Sequence, residues 1–168
     1  MELFKDPNCS AVFSPCRRYR YELFRQWNPE LPSVAFIGLN PSTADETNND
    51  PTIRRCIGFA KRWGYGGLYM LNLFAFRATN PRHMKQQRDP IGPDNDQHLQ
   101  GITGKVEKVI GAWGVHGQYR DRGNEVIGLF RCLGQDLYCL GETISAHPIH
   151  PLYQSYDKKP YLFERGVL

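Results

Sequence analysis

The chain has 168 residues and a formal net charge of +4, with 40% hydrophobic and 23% charged residues. These values exclude a disordered or collagen-like chain, and the length fits one domain, 1–168, able to bury a sizeable core. The mild basic excess permits contact with phosphates and equally describes an ordinary solvated surface.

No apolar run approaches the length of a membrane span. The segment from Met1 to Pro7 lacks the apolar core of a signal peptide. Five cysteines, Cys9, Cys16, Cys56, Cys132 and Cys139, are an odd number in a chain with a real core. That pattern fits a reducing cytoplasm better than a disulfide framework, so a cytoplasmic protein is expected. No C-x-x-C spacing occurs, and neither a metal nor a cofactor is expected.

In chain order, Arg17 to Phe24 partly alternates large apolar and charged groups, which predicts a half-buried strand. Ser33 to Leu39 is apolar and uncharged, as a strand covered on both faces should be. Asp50 suits a helix N-cap and Pro51 the first helical turn. Ile53, Cys56, Ile57, Ala60 and Trp63 follow at helical spacing, and Gly64, Gly66 and Gly67 end the helix. Gly67 to Phe74 reads as a second buried strand. A helix is expected from near Asp94 through Leu99, Ile102 and Val106. Val109 to Trp113 is a third strand, Glu125 to Phe130 a helix, and Leu137 to Leu140 a fourth strand ending at Gly141.

Strands alternating with helices predict an α/β fold: a three-layer α/β/α sandwich around a central, mostly parallel four-stranded sheet. Ligands of such sheets bind beyond the carboxyl ends of the strands. That rule sets Asn40, the segment 72–77, the segment 113–116 and the segment 141–153 along one rim.

Several side chains on this rim could carry chemistry. Asn40 can donate and accept, and so could orient a water or merely cap its strand. Pro41 restricts its backbone, and Ser42 could serve a phosphate or an N-cap. Asn72, inside an apolar run, must find partners: either a neighbouring loop or the edge of a ligand. Arg77 could meet a phosphate or a surface carboxylate. His147 and His150 lie on a turn that Pro148 and Pro151 make rigid, where an imidazole can donate to a developing anion or simply satisfy a loop. There is no Gly-x-x-x-x-Gly-Lys loop, no G-x-G-x-x-G fingerprint and no G-x-S-x-G elbow, which disfavours P-loop, dinucleotide and serine-hydrolase chemistry.

Read together, these segments resemble the uracil-DNA glycosylase superfamily over roughly residues 33–153. Gly38-Leu39-Asn40-Pro41 is similar to its water-holding turn, and Leu71-Asn72 followed by Arg77 and Pro81 to its base-reading strand end. Trp113-Gly114 matches a third strand ending in glycine. His147-Pro148 or His150-Pro151-Leu152 matches its histidine turn. The chain resembles still more an uncharacterised bacterial and phage family with N-P-S-T-A-D, D-P-T-I-R-R, N-L-F-A-x-R-A-T-x-P and H-P-L-Y motifs. That second resemblance favours His150 over His147.

The glycosylase resemblance implies a DNA-binding hydrolase that flips out and excises a modified or damaged base, without metal or cofactor. Asn40 would place water, Asn72 would read the base, Phe74 or Tyr153 would stack on it, and His150 or His147 would stabilise the departing base. Pro41, Ser42 and Arg77 would line or hold the substrate, with Leu152 as a wedge. The fastest members have aspartate where this chain has Asn40, and an amide cannot act as a general base. A non-catalytic reader of a modified base and a hydrolase of a small nucleotide are the alternative expectations.

Overall fold

The structure is a computed structural model, and it describes residues 8–164. The segment from Met1 to Pro7, with its reading as no signal peptide, lies outside them. Among the described residues, seven strands form one mixed sheet in the order β1-β2-β4-β3-β5-β6-β7. The strands are β1 (Cys9–Phe13), β2 (Arg20–Gln26), β3 (Ser33–Gly38), β4 (Gly67–Asn72), β5 (Lys108–Gly111), β6 (Leu137–Cys139) and β7 (Tyr161–Leu162). Four α-helices accompany them: α1 (Pro51–Arg62), α2 (Pro81–Lys85), α3 (Asn95–Gly101) and α4 (Arg122–Cys132).

The expected four strands are present as the parallel set β4-β3-β5-β6. The expectation of a four-stranded sheet is nonetheless corrected. Antiparallel strands extend it on both sides: β2 and then β1 beyond β4, and β7 beyond β6. These additions cover edges that would otherwise expose unpaired backbone groups.

Strand β3 has no charge because both its faces are covered. Ala35 and Ile37 join a core with Leu99 of α3 and Val126, Ile127 and Phe130 of α4. Val34 and Phe36 face the opposite way, into a core with Ile53, Cys56, Phe59 and Ala60 of α1. Alternate side chains of a strand point to opposite faces, so one uncharged run serves two cores.

Helix α1 starts as its sequence dictates. Asp50 is extended (φ −91°, ψ 174°), its Oδ1 accepts from the Ile53 N–H at 2.9 Å, and Pro51 follows. The N-terminus of α1 therefore lies at the carboxyl end of β3, on the expected rim. Helix α3 stops at Gly101 and does not reach Val106, as an interior glycine allows.

Strand β2 runs antiparallel to β4, which turns its first residues toward the rim. Leu23 pairs with Met70, so β2 begins beside the carboxyl end of β4. The Arg20 N–H bonds to the Ala75 carbonyl at 2.9 Å. Arg20, the first residue of β2, thereby reaches the same rim.

Candidate active site

A cavity of about 360 Å³ opens where the parallel strands end. It lies at the switch point of the sheet, where the chain leaves β3 to β4 on one side and later to β5 on the other. Asn40, Pro41, Ser42, Asn72, His150 and Leu152 line it, as do Arg20, Asp50, Trp113 and His116.

Asn40 is fixed by its own amide. Its Nδ2 donates to the Ala78 carbonyl at 2.8 Å and to the Pro41 carbonyl at 3.1 Å. Backbone bonds from Phe74 to Leu39 and from Ala78 to Pro41 bind the same two segments together beyond the strand ends. The donor side of Asn40 is thus consumed, and Oδ1 is what it can offer a ligand or water.

Asn72 is held differently. It is 2% exposed, and its Nδ2 is buried with no hydrogen-bond partner. Its backbone is clamped from behind: Asn95 Nδ2 donates to the carbonyls of Asn72 and Leu73, at 2.9 and 3.0 Å. Arg122 Nε adds a third bond, to the Leu73 carbonyl at 2.9 Å. A Cβ on Gly38, the residue paired with Asn72 in the sheet, would lie 2.8 Å from Asn72 Oδ1. Glycine at the end of β3 makes room for the Asn72 amide.

His150 has an assignable tautomer. The Leu152 N–H can only donate, and it meets Nδ1 at 3.2 Å. Nδ1 is therefore the acceptor, and the neutral ring carries its proton on Nε2. Burial pushes the His150 pKa below its ordinary value, against an opposing pull from the Asp50 carboxylate. At neutral pH His150 is a neutral hydrogen-bond donor. Gly114 lies beside it in the left-handed region (φ 71°), and the Gly114 N–H bonds to the Pro148 carbonyl at 2.9 Å.

Two groups in the cavity were not singled out as site residues from the sequence. Arg20 is 1% exposed; one Nη donates to the Ala44 carbonyl at 3.1 Å, and Nε has no partner. Burial lowers its pKa to about 10, opposed by Asp50, so it stays charged at neutral pH. Asp50 is 7% exposed and caps α1 while lining the cavity. The switch-point rule was the available signal for Asp50, since the helix after β3 must start at the rim. Arg20 had no such signal without the direction of β2.

Phe74, Arg77, His147 and Tyr153 do not line this cavity. Phe74 is fully buried and packs against Tyr119. Arg77 lies over the Phe13 ring, 4.7 Å from its centroid, and donates to the Arg17 carbonyl. His147 is 2% exposed and accepts a bond from Trp113 Nε1. Tyr153 is 89% exposed, with φ 70°.

Among the described residues no cluster of three or more His, Cys, Asp or Glu side chains could hold a metal ion. No helix among them is long and apolar enough to cross a membrane. All five cysteines are free thiols.

A protein-family comparison matches residues 20–152 to DUF1643, described as a protein of unknown function. The chain belongs to the DUF1643 family. The match begins on Arg20 and ends on Leu152, both of which line the cavity. Neither the curated proteins nor the solved structures give a match.

Proposed function

We propose that this protein processes bases in DNA, as a glycosylase-like hydrolase that receives a flipped-out modified or damaged base in the cavity and cleaves its bond to the sugar. The observation that carries the reading is the meeting of Asn40, Asn72 and His150 in one cavity. These three come from separate parts of the chain. Asn40 and Asn72 stand at positions the resemblance to uracil-DNA glycosylases selects, and His150 is the one of its two candidate histidines that lines the cavity.

The chemistry of the cavity fits a base. Asn72 Nδ2 and Arg20 Nε are buried donors without partners. An unsatisfied buried donor costs roughly 1–3 kcal/mol, which a ligand carbonyl or ring nitrogen would recover. The volume is at the lower end of the roughly 300–1,000 Å³ of small-ligand sites, suited to one base rather than a large cofactor. In the reaction, Asn40 Oδ1 accepts a hydrogen bond from the attacking water and so orients it. Asn72 donates to the base edge. His150, neutral with Nε2–H, donates to the base as negative charge develops on it.

The direct test is incubation with duplexes carrying uracil, hypoxanthine, alkylated and oxidised bases, followed by cleavage at abasic sites. Excision of at least one base, lost in Asn72→Ala, is the expected result. A folded protein that leaves a broad panel intact would refute the hydrolase reading.

A further inference from the structure

The proposed reaction needs a group that can accept a proton from water, and Asn40 has none to offer. Its Nδ2 is committed to Ala78 and Pro41, and its Oδ1 is an amide oxygen. The cavity nevertheless holds one carboxylate. Asp50 is the acidic residue in its lining, and it is contributed by α1 rather than by a strand end.

We propose that Asp50 is the catalytic carboxylate of this site, facing the sugar and accepting the proton of the attacking water. The inference rests on the base-excision reading. Three observations bear on it. Only one carboxylate oxygen is needed for the helix cap: Oδ1 takes the Ile53 N–H, and among the described residues no hydrogen bond or ion pair engages Oδ2. The side chain is buried at the cavity wall, where a charge acts through little screening. The buried Arg20 guanidinium and the N-terminus of α1 hold opposite charge near it, which offsets the cost of keeping a carboxylate out of water.

In this step the water oxygen forms a bond to the anomeric carbon as the carbon–nitrogen bond to the base breaks. That bond's electron pair leaves on the base, where the His150 Nε2–H donates to it. The water's proton passes to Asp50, which later returns it to solvent, and the base takes its proton from solvent. While the old bond is broken and the new one incomplete, the sugar is cationic, and the Asp50 charge stabilises it.

Asparagine caps a helix as well as aspartate does, so Asp50→Asn removes the charge and keeps the cap. Two duplexes probe the charge without requiring turnover. One carries a cationic pyrrolidine in place of the target nucleotide, and the other the neutral tetrahydrofuran of the same shape. Binding would be measured by fluorescence anisotropy, with thermal unfolding as the check on folding. The native chain is expected to prefer the cationic duplex by at least about tenfold. In Asp50→Asn the preference should fall to within about twofold, with unfolding temperature nearly unchanged. A preference that survives in Asp50→Asn, or no preference in the native chain, overturns the role of Asp50. Either result, with excision still observed, leaves the base-excision reading intact. Failure to bind either duplex overturns both.

Discussion

Trp113 Nε1 donates to His147 Nδ1 at 3.1 Å, and both side chains are sealed from solvent. The two histidines of the H-P-I-H-P turn therefore do different work. A Cβ on Gly123 of α4 would lie 2.8 Å from the His147 ring, which fills the space between that helix and Trp113. The turn itself is closed by bonds between Thr143 and His147, including the Thr143 N–H to the His147 carbonyl at 2.7 Å. His150, three residues on, lines the cavity.

Replacing these histidines should separate folding from function. His147→Ala strands the Trp113 donor and empties a packed space, at a cost of about 2–3 kcal/mol in urea unfolding. His150→Ala should cost under about 1 kcal/mol, since the ring is only half-buried, and should abolish excision. Equal stability losses in the two variants would contradict this division.

Asn72 carries a similar test with the opposite stability signature. Its amide nitrogen has no partner to lose. Asn72→Ala should therefore change the unfolding free energy by less than about 1 kcal/mol, although the residue is buried. Affinity for a duplex with the recognised base should fall tenfold or more. A large destabilisation would mean that the amide serves the fold.

The pH response depends on His150. Burial holds its folded pKa below the ordinary 6.5, so between that value and the lower folded one the unfolded chain binds more protons. Stability then rises with pH through this window and falls on acidification below about 6.5. His116, lowered by partial burial and by Lys85, acts in the same direction. Unfolding temperature measured from pH 8 to 5 should drop at the acid end. The drop should be smaller in His150→Asn and smaller again when His116→Gln is added. A flat profile in the native chain would argue against the neutral, half-buried imidazole.

Gly38 should be intolerant of the smallest substitution. A Cβ there would sit 2.6 Å from Met70 Cε and 2.8 Å from Asn72 Oδ1. Met70 can swing its terminal methyl away, but Asn72 is clamped through its backbone. Gly38→Ala should cost about 1–3 kcal/mol and weaken ligand binding at least tenfold through displacement of the Asn72 amide. Retained affinity would show that the amide position is not critical.

The parts of the fold legible from sequence are those fixed by local pattern. β3, α1, β4, β5 and β6 lie within a few residues of their expected bounds, because uncharged runs, the Asp50-Pro51 start and helical spacing are all short-range signals. β7 has two residues, both exposed, and exists by pairing with β6. Nothing local marks such a strand. β1 likewise depends on β2 for its place.

The site divides along the same line. Asn40 and Asn72 follow from the rule that strand ends form the rim. That rule puts His147 and His150 there alike, and the H-P-L-Y resemblance favours His150, the one that lines the cavity. Arg20 sits in a segment whose charge alternation reads as a solvated face, and only the antiparallel pairing of β2 with β4 brings the start of β2 to the rim. Phe74 lies two residues beyond Asn72 yet belongs to the core, since the chain past the strand end runs on beneath Leu39 and Ile91 with its own backbone bonds. Asp50 is legible as a cap from its place before Pro51, and its part in the cavity follows only once the start of α1 is set on the rim.

Arg20 and Leu152 bound the stretch shared with the family, and they meet across one cavity. A ligand there would bridge the start of β2 and the turn that follows β6, the two ends of the shared stretch. Its binding energy would then oppose separation of the two ends and protect the whole molecule against proteolysis, not merely the loops it touches. Protease resistance can thus serve as a ligand screen for this protein.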